Sequence, residues 1–507
     1  MPRPADAAAL ARHLTDAGYT LDAVTDRIGA TATAALARNT TLAARDVLAD
    51  ATDPQATCLR AFVLQDAVPT RDLAAAVGDL DALERAGLLD QQGGSARARV
   101  EIRPYASAGV HDETVAPGAG TGPGGAVDGW VVHDRIPTLD GRIAASRPDF
   151  VLGLSPASTA LAQLTVRRPI GTALDLGTGC GVQALHLAGH AGRVVATDLN
   201  PRALDLAAWT TGLNGVDADL RLGSLYEPVS GERFDLIVTN PPFVMAPPSP
   251  ERLVYREGSL PGDELMRRVV TDGAAHLAPG GILQVLGNWA VTEGGDPADR
   301  IRGWVAPTGC SALVLERERL DPYEYVEVWL ADAGLVGTPH YGPRYRQWID
   351  WFDGLGITGI GLGWIALYAD AAGDITVESW PHAVHQPVGE AFAAHPAALA
   401  LAHRSDADLL ASHLVLDPRV DAETLGRPGA ADPEHLVLRQ RYGFGRAVEV
   451  DTGLAAVLGA CDGDLPLGAL IEAVAGLLDV DAAALAGEVV PKVRDLAREG
   501  YVTPPVS

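Results

Sequence analysis

Apolar residues in the central part of the chain form short continuous runs, which turn-forming residues separate. Three such runs cover residues 173–176, 194–197 and 234–238, and they are rich in branched side chains. Runs of this length and composition are typical of strands that are buried on both faces of a parallel sheet. A helix-like segment begins at Val182, between the first two runs. Strands that alternate with helices predict an α/β fold with a parallel sheet.

The two ends of the chain have a different pattern, in which apolar residues recur at helical spacing. Near the N-terminus, residues 57–65, 70–77 and 80–89 predict three short helices, and the alternation over residues 96–104 predicts a strand. Three helices and a strand are typical of a winged-helix-like module. A second, looser module is predicted beyond residue 385, with a closing strand at 501–502 and helices over 388–403, 407–414, 451–458, 467–478, 482–489 and 492–499.

These patterns divide the chain into four parts. We expect a helical, winged-helix-like domain over residues 1–110, and a glycine-rich linker with one strand over 111–149. The α/β domain should cover residues 150–384, and a second mostly helical, winged-helix-like domain should cover 385–507. With 507 residues, the chain is long enough for several domains.

The third apolar run ends abruptly in Asn240-Pro241-Pro242-Phe243, a segment that we call the lip. The two prolines fix the backbone and lack N–H groups, which predicts a rigid edge at the C-terminal end of the strand. Open α/β sheets bind ligands at that end. The Asn240 side-chain oxygen and the Pro241 carbonyl could accept hydrogens from a planar NH2 group, and Phe243 could stack on its face. A strand followed by an ordinary Asn-Pro turn is the simpler alternative.

A glycine-rich turn follows the first run, with Gly177, Gly179 and Gly181 spaced as Gly-x-Gly-x-Gly after Asp175. Glycines allow a sharp turn and a close backbone approach to a ligand. Asp198 follows the second run, 23 residues after Asp175, where a carboxylate can bind ribose hydroxyls. A dinucleotide site has the spacing Gly-x-Gly-x-x-Gly and binds a pyrophosphate. The carboxylate of Asp175 suits a cationic amino-acid moiety better, which favours S-adenosylmethionine over NAD.

In these motifs, the chain resembles the class I S-adenosylmethionine-dependent methyltransferases of the Asn-Pro-Pro-aromatic group, which methylate planar nitrogens. That group includes glutamine methyltransferases of release factors, adenine-N6 methyltransferases and guanine-N2 methyltransferases of ribosomal RNA. The resemblance covers residues 150–369 and is clearest over 173–289. It implies a Rossmann-like core of seven strands, between the two accessory domains. It also implies that residues 277–283 lead into the fifth strand and that residues 356–368 belong to the closing antiparallel pair.

The resemblance also assigns roles to residues. It implies that S-adenosylmethionine is bordered by Asp175, Gly177, Thr178, Gly179 and Gly181, and that Asp198 holds its ribose. The lip residues Asn240, Pro241 and Phe243 would bind the target nitrogen, with Asn240 also close to the cofactor. Two positions depart from the family pattern. Ser224 stands where many relatives carry an acid that faces the adenine, and Phe243 stands where glutamine methyltransferases usually have tyrosine.

Composition and charge limit the possible partners, metal sites and cellular compartment of the protein, but they say little about its reaction. The net charge is −26, which argues against a surface that coats nucleic acid in general. The four cysteines are far apart, so we expect neither a disulfide framework nor a metal site, and a reducing cytoplasm suits them. His382 and His385 lack a third ligand nearby, which also argues against a metal. We find neither a signal peptide nor a membrane-spanning run.

Two substrate classes remain open: a glutamine amide in a protein such as a release factor, and an exocyclic amine of an RNA or DNA base. The acidic charge favours a protein, and the winged-helix-like modules favour nucleic acid. A catalytically silent scaffold and a small-molecule N-methyltransferase are further alternatives. Tyr255, Arg256 and Glu257 could belong to a lid over the substrate. The best local basic patch for docking consists of Arg439, Arg441 and Arg446, unless these arginines pair with carboxylates.

Overall fold

The structure is a computed structural model, and it describes residues 4–107, 127–142, 147–248, 260–370, 372–427 and 434–505. Most of the predicted glycine-rich linker and the predicted lid residues Tyr255, Arg256 and Glu257 lie outside these ranges. The chain forms two compact units. The first contains Met1–Ala162 and Arg167–Trp380, and the second contains Gln163–Val166 and Pro381–Ser507. The N-terminal helices and the central sheet therefore belong to one unit.

In the residues that the structure describes, the N-terminal part of the first unit contains six α-helices and five strands. The helices are α1 (Pro4–Asp16), α2 (Leu21–Leu36), α3 (Leu42–Val47), α4 (Pro54–Phe62), α5 (Thr70–Val77) and α6 (Leu80–Arg85). The strands are β1 (Ala67–Pro69), β2 (Leu89–Gln92), β3 (Ser95–Ala98), β4 (Val100–Ser107) and β5 (Val127–Asp134).

Helices α4, α5 and α6 with the sheet β1-β3-β2 have the element order of a winged helix. Asp53 and Asp79 cap α4 and α6 by accepting hydrogen bonds from Ala56 N and Ala82 N, as short helices require. The single strand predicted over 96–104 is two strands. Strand β3 pairs with β1 and β2, whereas β4 pairs with β5 in a separate ribbon, because the chain passes from one sheet to the next at Arg99.

The central part of the first unit alternates strands and helices. Its strands are β6 (Ile170–Leu176), β7 (Ala191–Asp198), β8 (Ala218–Leu222), β9 (Phe234–Thr239), β10 (Leu277–Thr292), β11 (Ser311–Leu320), β12 (Ile357–Tyr368) and β13 (Ile375–Ser379). Its helices are α7 (Pro156–Leu164), α8 (Val182–Ala188), α9 (Pro201–Leu213), α10 (Glu264–Ala275), α11 (Pro297–Val305), α12 (Pro322–Asp332) and α13 (Tyr341–Gly354).

These strands form one sheet in the order β13-β11-β12-β10-β9-β6-β7-β8. Strands β6 to β10 are parallel, and β12 is antiparallel to both β10 and β11. This order contains the predicted seven-stranded Rossmann-like core, and β13 extends it by an eighth strand beside β11. The chain leaves β6 toward β7 on one side and later returns to β9 on the other. Such a switch of direction opens a crevice at the C-terminal ends of the strands, where ligands bind.

Helices α12 and α13 form an insertion between β11 and β12. Because β12 is antiparallel to both β10 and β11, the end of β11 lies at the same edge of the sheet as the ends of β6 and β9. The insertion therefore lies at the ligand-binding edge. Trp348 and Phe352 of α13 are buried in its hydrophobic core.

The second unit contains two three-stranded sheets and five helices in its described residues. Its helices are α14 (Gly389–Ala402), α15 (Asp406–Leu410), α16 (Thr452–Gly459), α17 (Leu467–Leu478) and α18 (Ala482–Arg498). Its strands are β14 (His413–Leu416), β15 (Val420–Leu425), β16 (His435–Gln440), β17 (Ala447–Glu449), β18 (Asp462–Pro466) and β19 (Val502–Thr503).

Helices α16, α17 and α18 and the sheet β18-β14-β19 are the described elements in the region where a second winged-helix-like module was predicted. Two details differ from the predicted elements. The two helices predicted over 482–489 and 492–499 are one helix, because Val489, Val490 and Val493 bury a continuous apolar face across Pro491. The predicted helix 407–414 ends at Leu410, and its last residues enter β14. The sheet β15-β16-β17 was not predicted.

Candidate active site

A cavity of about 250 Å³ opens at the C-terminal ends of β6, β7 and β9. Most of the residues that the sequence singles out line it: Asp175, Gly177, Thr178, Gly179, Asp198, Ser224, Asn240 and Pro241. Gly181 and Phe243 lie beside it instead. The switch point of the sheet thus brings together motifs that are up to 65 residues apart along the chain.

The glycine turn is held by two backbone hydrogen bonds, because Gly177 N and Thr178 N both donate to Thr197 O at 2.9 Å. Gly177 and Gly179 have φ values of 74° and 56°, a left-handed conformation that favours glycine. A Cβ at either position would meet no atom within 4 Å. Gly181 differs, since a Cβ there would lie 3.1 Å from Ala207 on α9. Gly181 therefore allows α8 and α9 to pack closely, while Gly177 and Gly179 leave space over the cavity.

Asp175 lies at the floor of the cavity and is only 1% exposed. The Thr178 hydroxyl donates a hydrogen bond to its Oδ2 at 2.5 Å. Burial raises the pKa of Asp175 to about 7, and the nearby charge of Asp198 contributes in the same direction. A carboxyl group in this setting is stabilised as a carboxylate when a cation binds beside it.

The carboxylate of Asp198 is fixed on both of its oxygens. Gly179 N donates to Oδ2 at 2.9 Å, and Asn200 N donates to Oδ1 at 2.8 Å. Asn200 is held in turn, because its side chain donates to Asp149 O at 2.9 Å. Burial raises the pKa of Asp198, although these backbone donors act in the opposite direction. Asp198 therefore faces the cavity in a preset orientation.

The lip contains an unsatisfied acceptor. Asn240 Oδ1 is buried, and no hydrogen-bond partner for it is found among the residues that the structure describes. A buried polar atom without a partner costs roughly 1–3 kcal/mol. Pro241 and Pro242 line the same part of the cavity and have no N–H that could donate to this oxygen. The lip therefore presents an acceptor that a ligand donor would satisfy.

Phe243 and the residues after it contact the inserted helix α12. The Phe243 and Trp329 rings meet edge to face, with centroids 6.1 Å apart. Met245 N donates to the Tyr325 hydroxyl at 3.0 Å, and Asn288 Nδ2 donates to the same hydroxyl at 2.8 Å. Sequence reasoning missed these residues of α12. The aromatic content of α12 was the available signal, but nothing local ties it to a segment 80 residues earlier.

Further lining residues come from other elements. Phe150 and Ser155 precede α7, Leu199 follows Asp198, and Arg268 of α10 is a cation at the wall. Ser224 is exposed at the end of β8, and its carbonyl accepts a hydrogen bond from Glu227 N at 3.0 Å. Arg268 was not predicted, because no local motif connects its position in the sequence with the glycine turn or the lip.

Two of the three arginines of the predicted basic patch pair with carboxylates of the second unit, and the third is buried. Arg439 Nε lies 2.8 Å from Glu423, and Arg441 Nε lies 2.6 Å from Asp421. Arg446 is only 8% exposed. These contacts agree with pairing to carboxylates, the alternative that the sequence left open for this patch.

Two features are absent from the described residues. They contain no group of three or more His, Cys, Asp or Glu that could hold a metal ion. Within the same ranges, no helix has the length and apolar character needed to cross a bilayer.

Residues 153–292, which include the glycine turn and the lip, match the family model of the methyltransferase small domain. This part of the chain is a methyltransferase small domain. Models of two domains of unknown function, DUF7059 and DUF7782, match residues 16–99 and 391–504, on either side of the methyltransferase small domain.

Curated relatives match part of the chain. The chain is 38% identical over 128 residues to the ribosomal protein uL3 glutamine methyltransferase of Bradyrhizobium diazoefficiens, covering 22% of this chain and 40% of that protein. It is 38% identical over 141 residues to the release factor glutamine methyltransferase of Cereibacter sphaeroides, covering 25% and 50%. It is 29% identical over 118 residues to the ribosomal RNA small subunit methyltransferase C of Alcanivorax borkumensis, covering 23% and 32%. The match spans half or less of each of these relatives.

Proposed function

We propose that this protein transfers a methyl group from S-adenosylmethionine to a planar NH2 nitrogen of a macromolecule. The observation that carries the proposal is Asn240 Oδ1, a buried acceptor for which the described residues provide no hydrogen-bond partner. It lies at the wall of the cavity that Asp175, the glycine turn and Asp198 also line. The methyltransferase small domain supports the reaction class. We retain the four-part division of the chain, with the flanking domains selecting the substrate.

The residues of the cavity fit S-adenosylmethionine. The buried carboxyl of Asp175 suits its cationic amino group, and the preset carboxylate of Asp198 suits its ribose hydroxyls. The left-handed turn at Gly177 and Gly179 leaves room for a close approach. When bound, the cofactor supplies a methyl group on a cationic sulfur, which is an electrophile that needs no metal to activate it.

The lip would orient the nitrogen that accepts the methyl group. Asn240 Oδ1 and the Pro241 carbonyl accept the two hydrogens of the NH2 group, which aims the nitrogen lone pair out of the molecular plane. The Phe243 ring restrains that plane from the side. The N–CH3 bond forms as the S–CH3 bond breaks, which leaves a neutral thioether and moves the positive charge to the nitrogen. The nitrogen then loses one N–H proton to water, so a strong base is not required before transfer. Positioning then supplies most of the rate enhancement.

We favour a protein amide, such as a glutamine side chain, as the target. Two of the curated relatives are named glutamine methyltransferases. Arg439 and Arg441, the strongest candidates for contact with phosphates, are paired with Glu423 and Asp421. The net charge of −26 also favours a protein target, because it opposes binding to the phosphates of a nucleic acid. An exocyclic amine of a nucleic-acid base is the second candidate, which the predicted winged-helix-like modules and the ribosomal RNA relative favour.

Labelled methyl transfer into fractionated extract of a strain that lacks this gene tests the proposal. We expect wild-type protein to label a protein fraction, and acid hydrolysis of that fraction to release methylamine, as an N-methyl amide does. Label in RNA or DNA would identify a base instead. The Asn240→Ala variant should leave every fraction unlabelled. Absence of label with wild-type protein, or full activity of the variant, would contradict the proposal.

A further inference from the structure

The lip is followed by a segment that depends on another element for its support. Pro241 and Pro242 lack N–H groups, so two consecutive positions cannot donate backbone hydrogen bonds. Three residues after Pro242, the N–H of Met245 donates to the Tyr325 hydroxyl at 3.0 Å. Tyr325 belongs to α12, in the insertion between β11 and β12, beyond residues 153–292 that match the methyltransferase small domain.

The Tyr325 hydroxyl is a shared acceptor in the interior. Tyr325 is 0% exposed, Asn288 is 1% exposed and Met245 is 2% exposed. Because Asn288 Nδ2 also donates to this hydroxyl, at 2.8 Å, one oxygen joins α12, the central strand β10 and the segment after the lip. Water cannot easily replace such an acceptor at a buried position, so the two donors depend on it.

A second contact between α12 and the lip lies one helical turn further along. Trp329 is four residues after Tyr325, so both side chains lie on the same face of α12. The Trp329 ring meets the Phe243 ring edge to face at 6.1 Å and the Tyr325 ring at 6.0 Å. Helix α12 therefore contacts the lip through a ring and the following segment through a hydrogen bond.

We propose that Tyr325 is a positioning residue for the methyl transfer. Its hydroxyl fixes the segment after the lip, and thereby sets the direction in which Asn240 and Phe243 face the target nitrogen. This inference rests on the proposed function, which assigns the target nitrogen to the lip. It extends the catalytic unit to an insertion that lies outside the residues matched by the methyltransferase small domain.

The Tyr325→Phe variant isolates this role, because it removes one oxygen and keeps the ring in the core. Met245 N–H and the Asn288 amide lose their shared acceptor, and the lip gains freedom. A misplacement of the order of 1 Å at a reacting group can lower a rate by about a hundredfold. We expect the turnover number to fall by roughly tenfold to a hundredfold. Affinity for S-adenosylhomocysteine should stay unchanged, because Asp175 and Asp198 lie on β6 and β7.

Two matched tyrosines separate positioning from general loss of stability. Tyr345→Phe removes a hydroxyl from the same insertion, where it donates to Glu327 at 2.9 Å on the surface. Tyr226→Phe removes a buried hydroxyl that donates to Val269 O at 2.9 Å. Both variants should keep the wild-type turnover number, and Tyr226→Phe should lose thermal stability as Tyr325→Phe does.

Hydrogen–deuterium exchange provides a readout that does not depend on activity. Peptides that cover residues 240–248 should lose protection in Tyr325→Phe and keep it in Tyr226→Phe and Tyr345→Phe. Unchanged protection and an unchanged turnover number in Tyr325→Phe would overturn the positioning role. An equal loss of turnover in Tyr226→Phe would also overturn it, since instability alone would then explain the effect. Inactive wild-type protein would instead overturn the proposed function, and the exchange result would still decide whether Tyr325 orders the lip.

Discussion

Cofactor binding should release a proton from Asp175. The pKa of this buried carboxyl is raised to about 7, so the group is mostly protonated at pH 6 in the free protein. A cationic amino group beside it favours the carboxylate and lowers its pKa. With a pKa near 7, binding should release about 0.9 of a proton at pH 6 and about 0.1 at pH 8. The same linkage should weaken the apparent affinity about tenfold from pH 8 to pH 6.

Calorimetry with S-adenosylhomocysteine in buffers of different ionisation enthalpy measures both the number of protons released on binding and the apparent affinity. The Asp175→Asn variant should bind S-adenosylhomocysteine more weakly than wild type at pH 8, and its residue 175 should release no proton on binding at pH 6. The difference in proton release between wild type and this variant cancels the ligand's own ionisation. Thr178→Val removes the hydrogen bond that lowers the pKa of Asp175, so proton release should shift to higher pH. Asp205→Asn, at an exposed site on α9, serves as the control and should behave as wild type. Equal proton release by wild type and Asp175→Asn would refute this reasoning.

Three further variants test other parts of the site. Asn240→Ala should lower the turnover number by at least a hundredfold, while the affinity for the cofactor in calorimetry stays within about twofold. The reason is that the lost interaction stabilises the transition state. A large loss of cofactor affinity would instead make Asn240 a structural residue. Asp198→Ala should weaken S-adenosylhomocysteine binding by roughly tenfold or more, as expected for a lost charge-assisted hydrogen bond, and undiminished binding would remove the ribose assignment. Changing both Arg439 and Arg441 to glutamate should leave the affinity for the cofactor unchanged. If the substrate is a protein, methyl transfer at low salt should also be nearly unchanged. A steep loss of transfer in the variant, together with a strong salt dependence of the wild type, would indicate phosphate contacts instead.

Local sequence patterns determined the identity of the methyltransferase domain and the two motifs at the centre of its cavity. Strand-forming runs, the Gly-x-Gly-x-Gly turn and the Asn-Pro-Pro-Phe lip each depend on residues within about ten positions of one another. Backbone rules act at that range, since a glycine permits a left-handed turn and a proline fixes φ and removes a donor. The alternating strands and helices then leave few possible topologies, and this explains why the parallel core could be predicted.

The tertiary structure decided what depends on long-range packing. Tyr325 reaches Met245 only because the sheet order places the end of β11 at the same edge as the end of β9. The pairing of Arg439 with Glu423 likewise depends on the register of β15 with β16. The raised pKa of Asp175 depends on complete burial, which composition does not reveal. Chain connectivity constrains neighbours along the sequence, whereas burial, register and orphaned polar atoms are set by elements that meet only in the folded protein.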